Sequence, residues 1–218
     1  MCPLQWEHCN VRSGGAIAVT TLPKLTFADY LALAPTGDTT PAELIDGVLV
    51  PLPPESGRNL AIAAYFYQAL LHIGVPFLLI YMGSCELQTP VLEAGDAANR
   101  FPDLVVIREE HRSLTQQRMT ITLDMPPPRF VLEVVSPGEA NRYRDYVRKR
   151  AQYAAIAIPE YIIADPETQI VTVLILDQGN YVEHGSYQGN QPILSPTFPR
   201  FTLTPQQVFD GTLPTAQP

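Results

Sequence analysis

Phe130-Val131-Leu132-Glu133-Val134-Val135 is an apolar stretch that contains one carboxylate, and it predicts the centre of the fold. Aromatic and β-branched residues favour strands, so the stretch predicts a buried β-strand. A carboxylate inside a buried strand is costly unless a cation or hydrogen-bond donors compensate its charge. Glu133 therefore indicates a metal ion or a polar partner at the middle of a sheet.

A second acidic residue opens a similar run. Asp103 follows Pro102 and begins the stretch Asp103-Leu-Val-Val-Ile107. Two such strands side by side bring both carboxylates to one point, where a divalent cation compensates their charge. Mg²⁺ prefers hard oxygen ligands, keeps several waters and needs only one or two carboxylates. Asp103 and Glu133 are therefore the predicted metal ligands, although Asp103 taken alone is also typical of a turn after proline.

The segment after the Glu133 strand is predicted to be a helix that begins with a capping box at Ser136 to Glu139 and ends near Ala157. Asp145, Lys149 and Tyr153 recur every four residues and share one face of this helix. A lysine there can orient a water or stabilise developing charge. The alternative is an ordinary surface pair of Asp145 with Lys149.

The remaining pattern predicts an α/β fold, with a mixed α+β sheet flanked by helices. Asp46-Gly47 favours a type I′ hairpin turn. The stretch between residues 108 and 128 is predicted to be a loop. Further helices are predicted at about 26–33 and 59–72, and further strands at 43–45, 48–50, 77–82, 85–89, 160–164, 169–176 and 180–184.

Length and charge limit the organisation and the partners. A chain of 218 residues is consistent with one domain, predicted at 23–212 between a flexible leader at 1–22 and a flexible tail at 213–218. A formal net charge of −8 argues against non-specific coating of nucleic acid. Local contact is predicted for a dense basic stretch, with a solvated helix face as the alternative. The stretch comprises Arg142, Arg144, Arg148, Lys149 and Arg150.

Cysteine and histidine spacing does not favour zinc. The three cysteines form no CxxC pair, and the four histidines lie far apart. Cys2 and Cys9 are expected to be unpaired. The chain begins without a basic, apolar signal and has no run of about 20 apolar residues. A cytoplasmic location without a membrane segment is therefore the prediction.

Several motifs together carry a family resemblance. They are Glu43-Leu-Ile-Asp-Gly47, Phe101-Pro102-Asp103, Leu132-Glu133-Val134-Val135-Ser136-Pro137, the series Asp145, Lys149 and Tyr153, and Ile158-Pro159-Glu160-Tyr161-Ile-Ile-Ala-Asp165-Pro166. In this order they resemble the restriction endonucleases of the Uma-two family, within the PD-(D/E)XK nuclease superfamily. The resemblance spans about Thr26 to Gly211.

The resemblance implies a restriction-endonuclease-like core and a set of site residues. Asp103 and Glu133 would bind Mg²⁺, for which Mn²⁺ can substitute, and the carbonyl of Val135 would complete the shell. Lys149 would replace the superfamily lysine, whose usual position is occupied by Val135, and Glu43 would act through a water. Family members often carry a histidine after the hairpin, where this chain has Arg58 and Asn59.

The leading hypothesis is thus a Mg²⁺-dependent endonuclease that cuts DNA, with Glu43, Asp103, Glu133 and Lys149 in catalysis. Dimerisation is plausible, because two sites cut two strands. A second hypothesis is a catalytically silent nuclease-fold module that binds nucleic acid or a protein partner. A third makes Asp103 and Glu133 an acid/base pair for sugar cleavage without metal.

Overall fold

The computed structural model describes residues 24–33 and 40–211. The predicted leader and tail, and with them Cys2 and Cys9, lie outside the described residues. The α-helices in the described part are α1 (Phe27–Ala32), α2 (Gly57–His72), α3 (His111–Leu114), α4 (Glu139–Tyr143), α5 (Arg150–Ala155) and α6 (Pro205–Asp210). Phe77–Leu79, in the first half of the strand predicted at 77–82, form a 3₁₀ helix. Its strands are β1 (Ala42–Ile45), β2 (Val48–Pro51), β3 (Ile80–Tyr81), β4 (Glu86–Gln88), β5 (Asn99–Arg100), β6 (Leu104–Val106), β7 (Thr120–Ile121), β8 (Phe130–Val134), β9 (Glu160–Asp165), β10 (Ile170–Asp177) and β11 (Asn180–Gln188).

The main sheet has six strands in the order β11-β10-β9-β8-β6-β3. Strand β8 pairs antiparallel with β6 and parallel with β9, so the Glu133 strand lies beside the strand that follows Asp103. Every residue of β8 and β9 is buried, as expected for central strands that are covered on both faces. The predicted mixed sheet with flanking helices is confirmed.

Aromatic side chains pack together in the core beside this sheet. Helix α2 contacts β8, and Phe66 of α2 stacks on Phe201 at a ring-centroid distance of 5.8 Å. Tyr153 and Tyr161 meet edge to face at 5.2 Å. Aromatic pairs in such geometries add stability beyond the area they bury. The helix that carries Tyr153 is thereby fixed against β9.

The segment from Glu139 to Ala155 runs helically throughout but is not one regular α-helix. A π-helical stretch, Arg144–Lys149, separates α4 from α5. The predicted capping box is wrong, because the N-cap is Gly138 and makes no side-chain cap. Ser136 has another partner, since its Oγ accepts a hydrogen bond of 3.1 Å from Asn59 Nδ2. π-Helical turns are rare and are frequent at functional sites.

A smaller layer flanks the main sheet. Strands β5, β4 and β7 form a three-stranded sheet, and the β1-β2 hairpin is joined to it through a bridge between Ile45 and Ala97. The predicted loop at 108–128 in fact contains α3 and β7. Strands of two residues produce no readable alternation, so the sequence did not reveal β5 or β7. Within residues 24–33 and 40–211, no helix is both long and apolar enough to cross a bilayer.

Helix α6 was missed although its start signals are present in the sequence. Thr204 accepts a hydrogen bond from the amide of Gln207, and the Gln207 side chain accepts one from the amide of Thr204. Pro205 stands at the first turn. This combination is a capping box with proline at a favoured position. The element was therefore predictable from Thr204-Pro205-Gln206-Gln207.

Replacing Gly47 by alanine is expected to lower the free energy of unfolding by about 2–4 kcal/mol. Gly47 has φ +79°, and a Cβ at this position would lie 2.5 Å from the Cβ of Lys24. The added methyl group would therefore clash with the chain as well as strain the turn. Urea denaturation of the variant measures the loss.

Gly179→Ala is the matched control for this prediction. Gly179 has φ +83° in the turn between β10 and β11, but a Cβ there meets nothing within 4 Å. Only backbone strain is added, so the expected loss is about 1 kcal/mol. Equal losses in the two variants would show that the contact with Lys24 does not constrain the turn.

Candidate functional site

Glu133 lies at the centre of the candidate site, with both carboxylate oxygens in contact with the helical segment that follows. Lys149 Nζ lies 2.7 Å from Oε2, and Tyr153 donates a hydrogen bond of 2.5 Å to Oε1. Both Glu133 and Tyr153 are buried. The carboxylate inside the strand is therefore compensated by a cation and a hydroxyl group.

Asp145 holds Lys149 from the other side. Its Oδ1 lies 3.2 Å from Lys149 Nζ and accepts a hydrogen bond of 3.0 Å from Nε of Arg144. Tyr161 donates a hydrogen bond of 2.9 Å to the backbone carbonyl of Asp145, which fixes this turn on β9. The face predicted from Asp145, Lys149 and Tyr153 thus lies against Glu133, with Lys149 and Tyr153 in direct contact and Asp145 behind Lys149.

Asp103 lies just before β6, next to the end of β8. Its Oδ2 accepts a hydrogen bond of 2.6 Å from the backbone amide of Val134. Desolvation and the neighbouring charge of Glu133 raise the pKa of Asp103 to about 8, while Lys149 and the Val134 hydrogen bond oppose the rise. Two carboxylates that disfavour each other's ionisation would both be stabilised by a cation.

Burial and charge pairing shift the pKa values of Glu133 and Lys149 in opposite directions. Burial raises the pKa of Glu133, although the ammonium of Lys149 opposes this shift. Burial would lower the pKa of Lys149, but Glu133 and Asp145 outweigh it and raise that pKa above its ordinary value. Lys149 is therefore a charged ammonium at neutral pH. Such a group orients water and stabilises negative charge but does not accept a proton.

The donor set matches a hard, partly hydrated cation. Across the described ranges, no three His, Cys, Asp or Glu side chains converge as a ready-made metal site. Asp103, just before β6, and Glu133 of β8 nevertheless offer oxygen donors, and Mg²⁺ needs only one or two carboxylates beside its waters. Val135 directly follows β8, and its amide donates a hydrogen bond to the carbonyl of Ala164. These residues fit Mg²⁺ better than zinc.

Glu43 lies beside this cluster and is bound to another residue. Its Oε2 lies 2.9 Å from Arg100 Nη1, and Arg100 Nε donates a hydrogen bond of 2.9 Å to Gln152 of α5. The structure therefore brings Asp103, Glu133 and Lys149 together and holds Glu43 through Arg100. Neither Arg100 nor the hydroxyl of Tyr153 was predicted to be part of the site. The four-residue spacing from Lys149 already indicated Tyr153, whereas no local signal indicated Arg100.

Arg58 and Asn59, where the resemblance led us to expect a histidine, have structural partners. Arg58 Nη2 donates a hydrogen bond of 3.1 Å to the carbonyl of Pro166, after β9. Asn59 is buried, and its Nδ2 donates to Ser136 Oγ and, at 3.4 Å, to the carbonyl of Val134. Both residues thus fix the chain at the ends of the central strands.

Comparison with known proteins identifies the family and the fold. The sequence model of the Uma2 family, described as putative restriction endonuclease, matches residues 27–206. No curated protein matches the chain. The fold is similar to the crystal structure of a putative nuclease of DUF820 from Anabaena variabilis, with a TM-score of 0.61 and 17% sequence identity. That match covers 85% of this chain and 98% of the other.

The structural similarity, at this level of identity, establishes the fold alone. It confirms the predicted restriction-endonuclease-like architecture. The family match spans most of the chain and includes all of the motifs from Glu43 to Pro166. The chain therefore belongs to the Uma2 family of putative restriction endonucleases.

Proposed function

We propose that the protein is a Mg²⁺-dependent endonuclease that hydrolyses phosphodiester bonds in DNA. The observation that supports this function best is the convergence of Asp103, Glu133 and Lys149 at the junction of β6, β8 and the π-helical stretch. Family membership and the nuclease-like fold support the same reaction class. Two carboxylates and one ammonium are a sufficient set for metal-assisted hydrolysis.

Asp103 and Glu133 would hold the cation, and the carbonyl oxygen of Val135 would add a ligand. A bound Mg²⁺, or Mn²⁺ in its place, supplies a Lewis acid that lowers the pKa of water and stabilises phosphoryl charge. Lys149 orients the attacking water and stabilises the negative charge of the transition state. Glu43 acts as an auxiliary carboxylate through a water molecule, and its Oε1 is the oxygen not bound to Arg100. A homodimer would supply one site for each DNA strand.

A second candidate is the catalytically silent module that binds nucleic acid or a protein. Both oxygens of Glu133 are engaged within the protein, by Lys149 and Tyr153. A carboxylate that serves only to hold this helix on the sheet would show the same contacts. The two candidates differ in metal binding, which only the endonuclease requires.

Calorimetric titration of Mn²⁺ and Mg²⁺ into the protein tests the proposed metal site. We expect saturable binding that is weakened at least about tenfold in Asp103→Asn and in Glu133→Gln. Glu109→Gln is the control, because Glu109 is an exposed carboxylate that pairs with Arg112 on the surface. Metal binding that is unchanged in both site variants would contradict the assignment of Asp103 and Glu133 as ligands.

Cleavage of plasmid DNA in the presence of Mn²⁺ or Mg²⁺ tests the catalytic role. Lys149→Ala is expected to reduce the rate by about a hundredfold or more. Metal-dependent cleavage that is unchanged in this variant would contradict the role of Lys149. Metal-independent DNA binding without any cleavage would instead support the silent module.

A further inference from the structure

The basic stretch from Arg142 to Arg150 was predicted to contact nucleic acid, but most of its members are bound within the protein. Arg142 pairs with Asp165 and Glu167, and Arg148 pairs with Asp96 and Glu93. Arg150 donates a hydrogen bond to the carbonyl of Tyr181, and Lys149 lies between Glu133 and Asp145. These contacts leave Arg144 as the member that lies both at the carboxylate cluster and towards solvent.

Arg144 is held in place but keeps hydrogen-bonding capacity. Its Nε and Nη2 donate to Asp145 at 3.0 and 3.3 Å, and its Nη1 donates to Asn141 Oδ1 at 3.0 Å. A guanidinium has five N–H donors, so two of them have no partner among the described residues. The side chain is 39% exposed, compared with 8% for Lys149.

The charges of Asp103, Glu133, Asp145, Lys149 and Arg144, here called the carboxylate cluster, make the position of Arg144 important for an anionic substrate. Glu133 and Asp145 pair with Lys149 and Arg144, and Asp103 adds no positive charge, so the cluster offers a phosphate no net positive charge when no metal is bound. Lys149 is buried and already contacts two carboxylates. Arg144 is thus the cation that an approaching phosphate meets first, and a rigid guanidinium suits phosphate oxygens in geometry.

We infer that Arg144 binds a backbone phosphate of DNA on the solvent-exposed side of the carboxylate cluster and positions the strand near Asp103 and Glu133. This inference rests on the proposed function, because it assigns a substrate contact to the same site. In this arrangement the Asp145 carboxylate holds Lys149 towards Glu133. It also binds the guanidinium of Arg144, part of which faces solvent. Arg144 is a substrate-binding residue, whereas Arg142 and Arg148 stabilise the fold.

Binding of a short fluorescein-labelled DNA duplex, measured by anisotropy in Ca²⁺ over a series of salt concentrations, tests the inference. Arg144→Gln is expected to weaken binding about tenfold at low salt and to reduce the slope of log K against log[salt] by about one. Arg144→Lys should retain part of the affinity, since it keeps the charge but loses the planar fork. The affinity for Mn²⁺ should not fall in either variant.

Arg112→Gln is the matched control, because it removes the same charge from a helical residue that pairs with a nearby acid, Glu109. It should leave affinity and salt slope close to those of the wild type. The inference would be overturned if Arg144→Gln and Arg112→Gln bound the duplex with equal affinity. It would also be overturned if Arg144→Gln left the salt slope unchanged. If Arg144→Gln binds like the control and the wild type still cuts DNA, the proposed nuclease function stands without a phosphate contact from Arg144.

Failure of the proposed function would give a different combination of results in the DNA-binding and DNA-cleavage assays. A wild-type protein that binds the duplex through Arg144 but cuts no DNA with any divalent metal would support the phosphate contact and overturn the nuclease assignment. A wild-type protein that neither binds nor cuts DNA would overturn both.

Discussion

Replacing Lys149 by methionine is expected to lower the free energy of unfolding by about 3–5 kcal/mol. The ammonium lies 2.7 Å from Glu133 and 3.2 Å from Asp145, and all three side chains are buried. Methionine matches the length of the lysine stem, so the core remains filled while two carboxylates lose their shared cation. Urea denaturation without added metal measures the loss.

The double variant Lys149→Met with Glu133→Gln separates charge from packing. Removing the carboxylate together with its partner should recover part of the stability, because no unpaired charge remains on Glu133. If the double variant loses as much stability as the two single variants added together, the ion pair is not the cause of the loss. Adding Mn²⁺ to Lys149→Met should recover part of the loss, since a cation held by Asp103 and Glu133 would compensate the Glu133 carboxylate.

Arg100→Met is expected to lower the free energy of unfolding by about 3 kcal/mol. The Arg100 guanidinium joins Glu43 of β1 to Gln152 of α5, and its side chain is 5% exposed. Without it, the Glu43 carboxylate loses its direct cation partner. Denaturant unfolding measures the effect, and hydrogen exchange should show increased opening of the β1-β2 hairpin.

Glu43→Gln in the Arg100→Met background distinguishes this ion pair from a simple packing effect. If the pair is responsible, the second substitution should recover at least about 1 kcal/mol. No recovery would show that the Arg100 side chain acts mainly through its aliphatic stem and through Gln152. The comparison also shows whether Glu43 needs Arg100 for its proposed auxiliary role.

The central part of the fold could be predicted from local sequence. The apolar runs at Asp103 to Ile107 and Phe130 to Val135 carry a strong strand signal, and they lie side by side as expected. Spacing by four residues placed Asp145, Lys149 and Tyr153 on the face that contacts Glu133. In both cases the signal lies in a short stretch of consecutive residues and does not depend on contacts with distant segments.

Other features depend on contacts between distant segments and leave no such signal. Arg100 and Glu43 are separated by 57 positions, and a two-residue strand such as β5 shows no alternation. The Ser136 hydroxyl had the right spacing for a helix cap, but it accepts a hydrogen bond from Asn59 instead. Local patterns also do not distinguish a π-helical from an α-helical turn over Arg144–Lys149.

The outer strand of the main sheet affects how copies of this chain can associate. Strand β11 is nine residues long, but its register with β10 shifts at Val173, so that His184 forms a bulge beside Gly185. Bulges twist an edge and interrupt its row of pairing groups, which hinders strand addition and aggregation. At the opposite edge, β3 has only two residues. Two copies are therefore not expected to join by continuing this sheet, and a dimer that cuts both DNA strands would have to use another surface.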